Sequence, residues 1–280
     1  MKRLLIGLII LACCACTPQD YLTILHTNDT HSQIEPKSDN KGGYARRMGL
    51  IERERQIDKN LLLLDAGDFC QGTPYFNYYK GRIEIEAMNR MGYDAVTLGN
   101  HEFDYGIDTL AAVLKGADFA VVCANYDVRG TALEGIVKPY TILRRNGIKI
   151  GIFGLGCAPS GLISDKNFLP IQYLPPYPIA QQMADTLRQQ GCSIVICLSH
   201  LGTVGKAPED YNDIEMAGLT RGIHVIIGGH THQLKDNLRV ANLDGDSIPV
   251  CQMGKSGVYL RIEIMAMCHY TILYSLWPFH

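Results

Sequence analysis

Five short apolar segments of this sequence are each followed, within four residues, by Asp, Asn or His. The segment Ala95–Leu98 is the clearest, because Gly99 ends it and four polar or ionisable side chains follow by Asp104. In a sheet of parallel strands, the carboxyl ends meet at one edge, where ligands bind in a crevice. Polar residues at several strand ends therefore predict a site at that edge. The candidates are Asp29 and His31, Asp68, Asn100 and His101, His200, and His230 and His232.

Predicted strands and helices alternate along most of the chain, which is typical of an α/β sandwich with helices outside. Leu61–Leu64 is apolar throughout, as expected of a strand covered on both faces. Asn146-Gly147 predicts a tight hairpin turn within residues 140–155. The four prolines of Pro170–Pro178 predict a loop, followed by a helix over Ile179–Gln190. Further strands are predicted at 21–25, 95–98, 119–123, 194–198, 225–227, 249–252 and 258–264, and helices at 43–58, 82–91 and 107–115.

The sequence shows neither a Gly/Ser-rich linker nor an internal repeat, so residues 20–264 are predicted to form one domain. Residues 265–280 lose the alternating pattern, and packing, strand pairing and fraying all stay open for them. Tyr75, Tyr78 and Tyr79 could stack on a nucleobase, although an aromatic-rich loop that packs on the core is the simpler interpretation. The net charge of −2 gives no basic surface of the kind that binds a nucleic acid polymer.

The N-terminus has the features of an export signal. A basic start, a short apolar core and small residues precede Cys16, and the apolar core is too short to span a membrane. Residues 1–19 are therefore predicted to be a lipoprotein-type signal and tether, with Cys16 as the lipidated residue. This predicts an exported lipoprotein, periplasmic or at the cell surface, held to a membrane by its lipid. A plain cleaved signal is the alternative, because Cys13 and Cys14 make the match imperfect.

The candidate residues at the strand ends offer nitrogen and oxygen donors without thiolate. Such donors suit Zn²⁺, Mn²⁺ or Fe. Asp29 and His31 lie two residues apart, as do His230 and His232, and in extended backbone each pair would point the same way. A carboxylate such as Asp68 can bridge two cations. Each such pair alone occurs by chance, but the candidate residues at all five strand ends together predict a metal site.

The candidate residues lie within longer motifs. They are Thr27-Asn28-Asp29-Thr30-His31, Asp65-Ala66-Gly67-Asp68, Gln71-Gly72-Thr73-Pro74, Asn100-His101-Glu102-Phe103-Asp104, His200, Gly229-His230-Thr231-His232 and Gly254-Lys255-Ser256-Gly257. Taken together, these motifs resemble those of the calcineurin-like metallophosphoesterases, and within them the 5′-nucleotidase branch. The resemblance covers nearly all of the chain outside the signal, and the motifs come in the order that the family has.

The resemblance implies a four-layer α-β-β-α sandwich, with two mixed sheets flanked by helices, and two divalent metal ions. It implies that Asp68 bridges the ions and that His101 acts on the phosphoryl group or the leaving oxygen, with Asp104 holding its imidazole. Glu102 is expected to support the ligands through hydrogen bonds. The implied ligands are Asp29, His31, Asp68 and His232 for one ion, and Asp68, Asn100, His200 and His230 for the other.

The implied reaction is hydrolysis of phosphate esters, foremost of nucleoside 5′-monophosphates to nucleoside and phosphate. The alternatives within enzymes are a 2′,3′-cyclic nucleotide phosphodiesterase, a nucleotide-sugar hydrolase and the related thiosulfate-pathway hydrolase. A surface lipoprotein that binds metal or nucleotide without turnover is the alternative of another class. Family members that cleave nucleotides usually carry a second, C-terminal domain. A separate polypeptide is expected to supply that domain here; smaller substrates and a truncated reading frame are the alternatives.

Overall fold

The computed structural model describes residues 21–205, 210–266 and 271–278, so the predicted signal and Cys16 lie outside the described residues. The strands are β1 Tyr21–Thr27, β2 Leu62–Asp65, β3 Ala95–Val96, β4 Ala120–Val122, β5 Tyr126–Asp127, β6 Val137–Lys138, β7 Tyr140–Arg145, β8 Ile148–Leu155, β9 Gln172–Tyr173, β10 Ile194–Ser199, β11 Val225–Gly228, β12 Leu234–Ala241, β13 Ser247–Met253, β14 Tyr259–Ala266 and β15 Thr271–Pro278. The helices are α1 Tyr44–Ile57, α2 Pro74–Tyr79, α3 Arg82–Met91, α4 Gly106–Leu114, α5 Asp165–Phe168, α6 Pro176–Gln189 and α7 Asp213–Leu219, with one 3-10 turn at His101–Phe103.

Two mixed sheets form the centre of the molecule. The first has the order β15-β14-β1-β2-β3-β4-β6, in which β1 to β4 and β6 run parallel and β14 and β15 antiparallel to their neighbours. The second has the order β12-β13-β11-β10-β8-β7, with parallel pairing from β8 to β13 and antiparallel edge strands. Strands β5 and β9 form a small separate pair.

Side chains that alternate along the strands build three apolar layers. In β2, Leu62 and Leu64 face the second sheet, where they meet residues such as Ile152 and Ile196. Leu63 points the other way and belongs to the layer that holds Ile51 of α1. Helices α6 and α7 pack on the far face of the second sheet through Leu187, Met216 and their neighbours. The predicted four-layer α/β sandwich is confirmed, and the continuous leucine run is apolar because both of its faces are covered.

The structure corrects the predicted loop over Pro170–Pro178. Helix α6 begins at Pro176, three residues before the predicted start at Ile179, and β9 lies earlier in the same stretch. Proline is tolerated in the first helical turn, because the backbone N–H groups there have no partner within the helix and the fixed φ suits the helix. The predicted hairpin at Asn146-Gly147 is confirmed as β7–β8.

Two further segments differ from their predictions. The tyrosine-rich loop is a short helix, α2, in which Phe76 is buried and Tyr78 is 81% exposed. The edge strand β12 was not predicted, because polar residues interrupt its apolar positions.

At the C-terminal end, β14 continues past residue 264 and Thr271–Pro278 pairs with it as β15. Among the helices of the described part of the chain, none has the length and apolar content needed to cross a bilayer.

Gly154 of β8 lies directly against Val122 of the first sheet and against Thr97. A Cβ atom at this position would lie 1.9 Å from the Val122 carbonyl oxygen and 2.5 Å from Thr97 Oγ1. We therefore expect Gly154→Ala to lower the free energy of unfolding by about 1–3 kcal/mol, the usual effect of overpacking a core. Urea denaturation measures this change.

Gly49→Ala is the matched control for Gly154→Ala. Gly49 is exposed on α1, and a Cβ atom there would have no neighbour within 4 Å. Alanine should raise the free energy of unfolding by about 0.5–1 kcal/mol, because it restricts the unfolded chain and favours the helix. Equal effects of the two substitutions would contradict the close approach at Gly154.

Candidate metal centre

The predicted site residues meet at one end of the two sheets. Three of the strands that carry them, β1, β2 and β3, belong to the first sheet, and β10 and β11 belong to the second. All five strands end at the same edge of the sandwich, so side chains from both sheets converge there. The structure thus brings the predicted ligands together although they are spread over about 200 positions of the chain, from Asp29 to His232.

The first donor group consists of Asp29, His31, Asp68 and His232, each with one ligand atom within 4.8 Å of the others. His31 Nε2 lies 3.0 Å from His232 Nε2, and His232 Nε2 lies 3.3 Å from Asp29 Oδ1. Ligand atoms about 2.1 Å from one ion lie about 3.0–3.4 Å apart. Two imidazole nitrogens facing each other beside a carboxylate are therefore spaced as they would be around a shared cation.

Asp68 also belongs to the second donor group, with His200 and His230. Its Oδ2 atom lies 3.1 Å from His200 Nε2 and 3.9 Å from His31 Nε2, so one carboxylate oxygen faces both groups. Asn100 Oδ1 lies 3.1 Å from His230 Nδ1, which places the amide beside this second group. The position of Asp68 between the two groups is the arrangement that a bridging carboxylate requires.

Five of these residues adopt left-handed backbone. The φ angles are 47° at Asp29, 46° at His31, 54° at Asp68, 72° at His230 and 55° at His232. The expectation that extended backbone aligns each pair is therefore wrong, because tight turns after the strands aim the side chains instead. Such conformations are unfavourable for residues other than glycine by about 1–3 kcal/mol each and cluster at functional sites.

The donors fit divalent cations. His200 Nε2 is fully buried and makes no hydrogen bond within the described part of the chain, although it faces the carboxylate of Asp68. Burial lowers the pKa of both His31 and His230 to about 4, so both imidazoles are neutral near pH 7 and offer a lone pair. For Asp68, burial opposes ionisation, but His200, His101 and His31 together outweigh it and lower the pKa of the carboxyl. The neutral imidazoles of His31 and His230 are in the ligand form that Zn²⁺ and Mn²⁺ need. Burial opposes protonation of His200, but the charge of Asp68 outweighs it and raises its pKa to about 10, so His200 would give up its proton to a bound cation.

His101 lies at the rim of this cluster and is partly exposed. Its ring centroid is 5.4 Å from that of His31, and its backbone N–H donates to Asp68 Oδ1 at 2.9 Å. Nδ1 faces the carboxylate of Asp104 at 3.2 Å. Burial opposes protonation of His101, but the hydrogen bond to Asp104 and the charge of Asp68 outweigh it and raise its pKa. The imidazole therefore keeps a proton closer to neutral pH than an isolated histidine does.

Glu102 fastens two of the strand ends to each other. Its buried carboxylate accepts hydrogen bonds from the backbone N–H groups of Asp68 at 2.9 Å, Cys70 at 3.0 Å and Gly99 at 2.6 Å. These contacts agree with the expectation that Glu102 supports the ligands through hydrogen bonds. They also hold the Asp68 turn against Gly99, where a Cβ atom would lie 2.2 Å from Asp68 Oδ1.

Glu102→Gln should weaken metal binding about 10- to 100-fold, the usual effect of removing a hydrogen-bond partner that orients a ligand. The substituted side chain has one acceptor oxygen, and its amide group opposes a backbone N–H that the carboxylate had satisfied. Titration calorimetry with Mn²⁺ measures the affinity. Glu52→Gln, at an exposed position of α1, is the control and should leave the affinity unchanged. Equal affinities in all three proteins would show that Glu102 does not position the ligands.

Other polar residues also hold the site, and the sequence alone assigned them no role, although Asn28 and Ser256 lie within its motifs. Asn28 donates to the Gly254 carbonyl oxygen and accepts from the Met253 N–H, and Ser256 N–H donates to the Asp29 carbonyl oxygen. Gln252 is fully buried and donates to the Gly229 carbonyl oxygen at 2.6 Å. A glutamine at the end of an apolar strand was the available signal, because a buried amide needs partners.

A family model described as calcineurin-like phosphoesterase matches residues 22–234 of this chain. The chain is 35% identical to a snake venom 5′-nucleotidase of Naja atra in an alignment of 266 positions that covers 85% of this chain and 49% of that protein. Among solved structures, a 5′-nucleotidase precursor of Thermus thermophilus superposes with a TM-score of 0.84 at 35% identity, over 92% of this chain and 54% of that one. The calcineurin-like phosphoesterase YfkN of Bacillus subtilis superposes with a TM-score of 0.75 at 29% identity, over 92% of this chain and 90% of that one. The chain spans about half the length of the first two relatives.

Proposed function

The chain belongs to the calcineurin-like phosphoesterase family, and on this premise we propose that it hydrolyses nucleoside 5′-monophosphates to nucleoside and phosphate, using two divalent metal ions. The observation that carries the proposal is the pair of donor groups that share Asp68 beside His101. The relatives named 5′-nucleotidases support the choice of substrate.

Asp29, His31, Asp68 and His232 would hold one ion, and Asp68, Asn100, His200 and His230 the other. When bound, two such ions supply positive charge for the phosphoryl oxygens and make hydroxide available near neutral pH. The protein's own part is to keep four imidazoles and two carboxylates in fixed positions. Glu102, Asn28 and Gln252 do this through the backbone of the turns.

His101 is assigned the proton transfer to the leaving group. Because Nδ1 faces Asp104, Nε2 is the nitrogen left to meet the substrate. As the bond between phosphorus and the ribose oxygen breaks, the Nε2 proton passes to that oxygen, so the nucleoside leaves as an alcohol and not as an alkoxide. The raised pKa of His101 keeps this proton available, and Asp104 is the positioning residue for the ring.

A substrate panel with added Mn²⁺ tests the proposal. AMP should be hydrolysed, a chelator should stop the reaction, and Mn²⁺ should restore it. Preference for 2′,3′-cyclic nucleotides or for UDP-glucose would favour the phosphodiesterase or the nucleotide-sugar hydrolase. Hydrolysis of neither p-nitrophenyl phosphate nor bis-p-nitrophenyl phosphate, nor of any nucleotide, would favour a non-catalytic binding protein and contradict the proposal.

We further propose that the protein is exported and that a lipid on Cys16 holds it to a membrane. The basic start, the short apolar segment and the small residues before Cys16 support this. Cells grown with radioactive palmitate should label the wild type but not Cys16→Ser. Absence of label on the wild type would leave the plain cleaved signal as the better account.

A further inference from the structure

The end of the sandwich opposite the metal centre carries a basic depression of about 440 Å³. Its lining includes four cationic side chains and one aspartate: Arg55, Lys59, Arg144, Arg145 and Asp94. Two of the cations have partners within the fold. Arg55 donates to the Met91 and Gly92 carbonyl oxygens, and Arg145 pairs with Asp94. Lys59 and Arg144 are exposed, so their charges face the surroundings.

The start of β1 lies beside this depression. Asn146, another lining residue, donates from Nδ2 to the Tyr21 carbonyl oxygen at 3.2 Å. Tyr21 is the first described residue, and Cys16 precedes it by five peptide steps. Since each step spans at most about 3.6 Å, a lipid on Cys16 would be no more than about 18 Å from Tyr21. The tether thus brings the basic depression close to any membrane that holds the lipid.

This end of the molecule also exposes an apolar side chain close in sequence to the basic residues. Ile57, at the end of α1 and two residues before Lys59, is 74% exposed. Basic residues around an exposed apolar side chain suit the boundary between headgroups and acyl chains. The metal centre lies at the other end of β1, whose seven residues span about 23 Å.

We propose that this end of the molecule, formed by Lys59, Arg144, the Asn146-Gly147 turn and Ile57, docks on the anionic lipid headgroups of the membrane that holds Cys16. Docking turns the metal centre toward the aqueous side, where soluble substrates arrive. The proposal rests on the lipid anchor proposed above and adds an orientation that the anchor alone does not impose. Each basic residue near an anionic surface contributes about fivefold to the binding constant.

Hydrogen–deuterium exchange on the full chain purified from membranes and reconstituted into vesicles tests the docking. In phosphatidylcholine vesicles that contain phosphatidylglycerol, the amides of residues 144–147 should exchange more slowly than in phosphatidylcholine alone. The protection should vanish at about 1 M salt, where the Debye length falls to about 3 Å. The double variant Lys59→Gln/Arg144→Gln should reduce the protection by as much as about 25-fold, since it removes two basic residues that contribute about fivefold each. The control Lys37→Gln/Lys41→Gln, on the loop that leads from the metal centre to α1, should keep it.

The outcomes separate the docking from the anchor. Failure of the protein to partition into phosphatidylcholine vesicles would refute the anchor, while protection that depends on phosphatidylglycerol would still support the docking. Equal exchange in both kinds of vesicle, or unchanged protection in Lys59→Gln/Arg144→Gln, would overturn the docking. The same protection produced by inorganic phosphate without vesicles would also overturn it, because the depression would then be a site for small anions.

Discussion

Asp68→Ala should lose both bound ions and with them all measurable hydrolysis of AMP. The reason is the position of the carboxylate, whose Oδ2 atom lies between His200 Nε2 at 3.1 Å and His31 Nε2 at 3.9 Å. Without it, the second donor group keeps no carboxylate and the first keeps only that of Asp29, and a two-metal site loses its bridging ligand. Metal content by elemental analysis and kcat for AMP measure the two effects.

Two further variants make the Asp68 result specific. Asp68→Asn keeps an acceptor for the His101 N–H but removes the charge, so it should lose metal as well. Asp118→Ala, at an exposed position, should bind metal and turn over as the wild type does. Circular dichroism checks that each variant is folded. Full metal occupancy in a folded Asp68→Ala protein would refute the bridging role.

His101→Ala should retain both ions but lower kcat for AMP by about 10²–10⁴, the range for loss of a general acid. The imidazole lies beside the donor cluster without belonging to it, and Asp104 holds its Nδ1 at 3.2 Å. Steady-state kinetics together with metal analysis separate this loss of proton transfer from a loss of metal.

The leaving group provides the control for His101. p-Nitrophenolate leaves without a proton, so with p-nitrophenyl phosphate the same substitution should lower kcat by less than about 10-fold. Asp104→Asn should give an intermediate decrease with AMP, because the ring remains but is less firmly oriented. Normal turnover of AMP by His101→Ala would remove this residue from the mechanism.

The layers of the fold could be predicted because they follow from local patterns. Leu61–Leu64 is apolar at every position, and the structure covers both faces of that strand. Asn146-Gly147 has the backbone preference that a tight hairpin requires, and it joins β7 to β8. The start of α6 could not be predicted, since proline at the first turn of a helix and proline in a loop are alike in sequence.

The site was predictable in its residue types but not in its geometry. A strand followed by Asp or His indicates a crevice, and the five turns do converge. The left-handed backbone at Asp29 and His31 depends on contacts from other turns, such as Ser256 N–H to the Asp29 carbonyl oxygen. Gln252 and Glu102 likewise form hydrogen bonds with residues far away in the sequence, and a local sequence pattern does not predict such contacts. The basic depression near Tyr21 joins three distant segments for the same reason.

Anomalous scattering from crystals grown with Mn²⁺ tests the proposed metal centre most directly. Two peaks on either side of the Asp68 carboxylate are expected, one beside Asp29, His31 and His232 and the other beside Asn100, His200 and His230. A single peak, or peaks away from these side chains, would contradict the account.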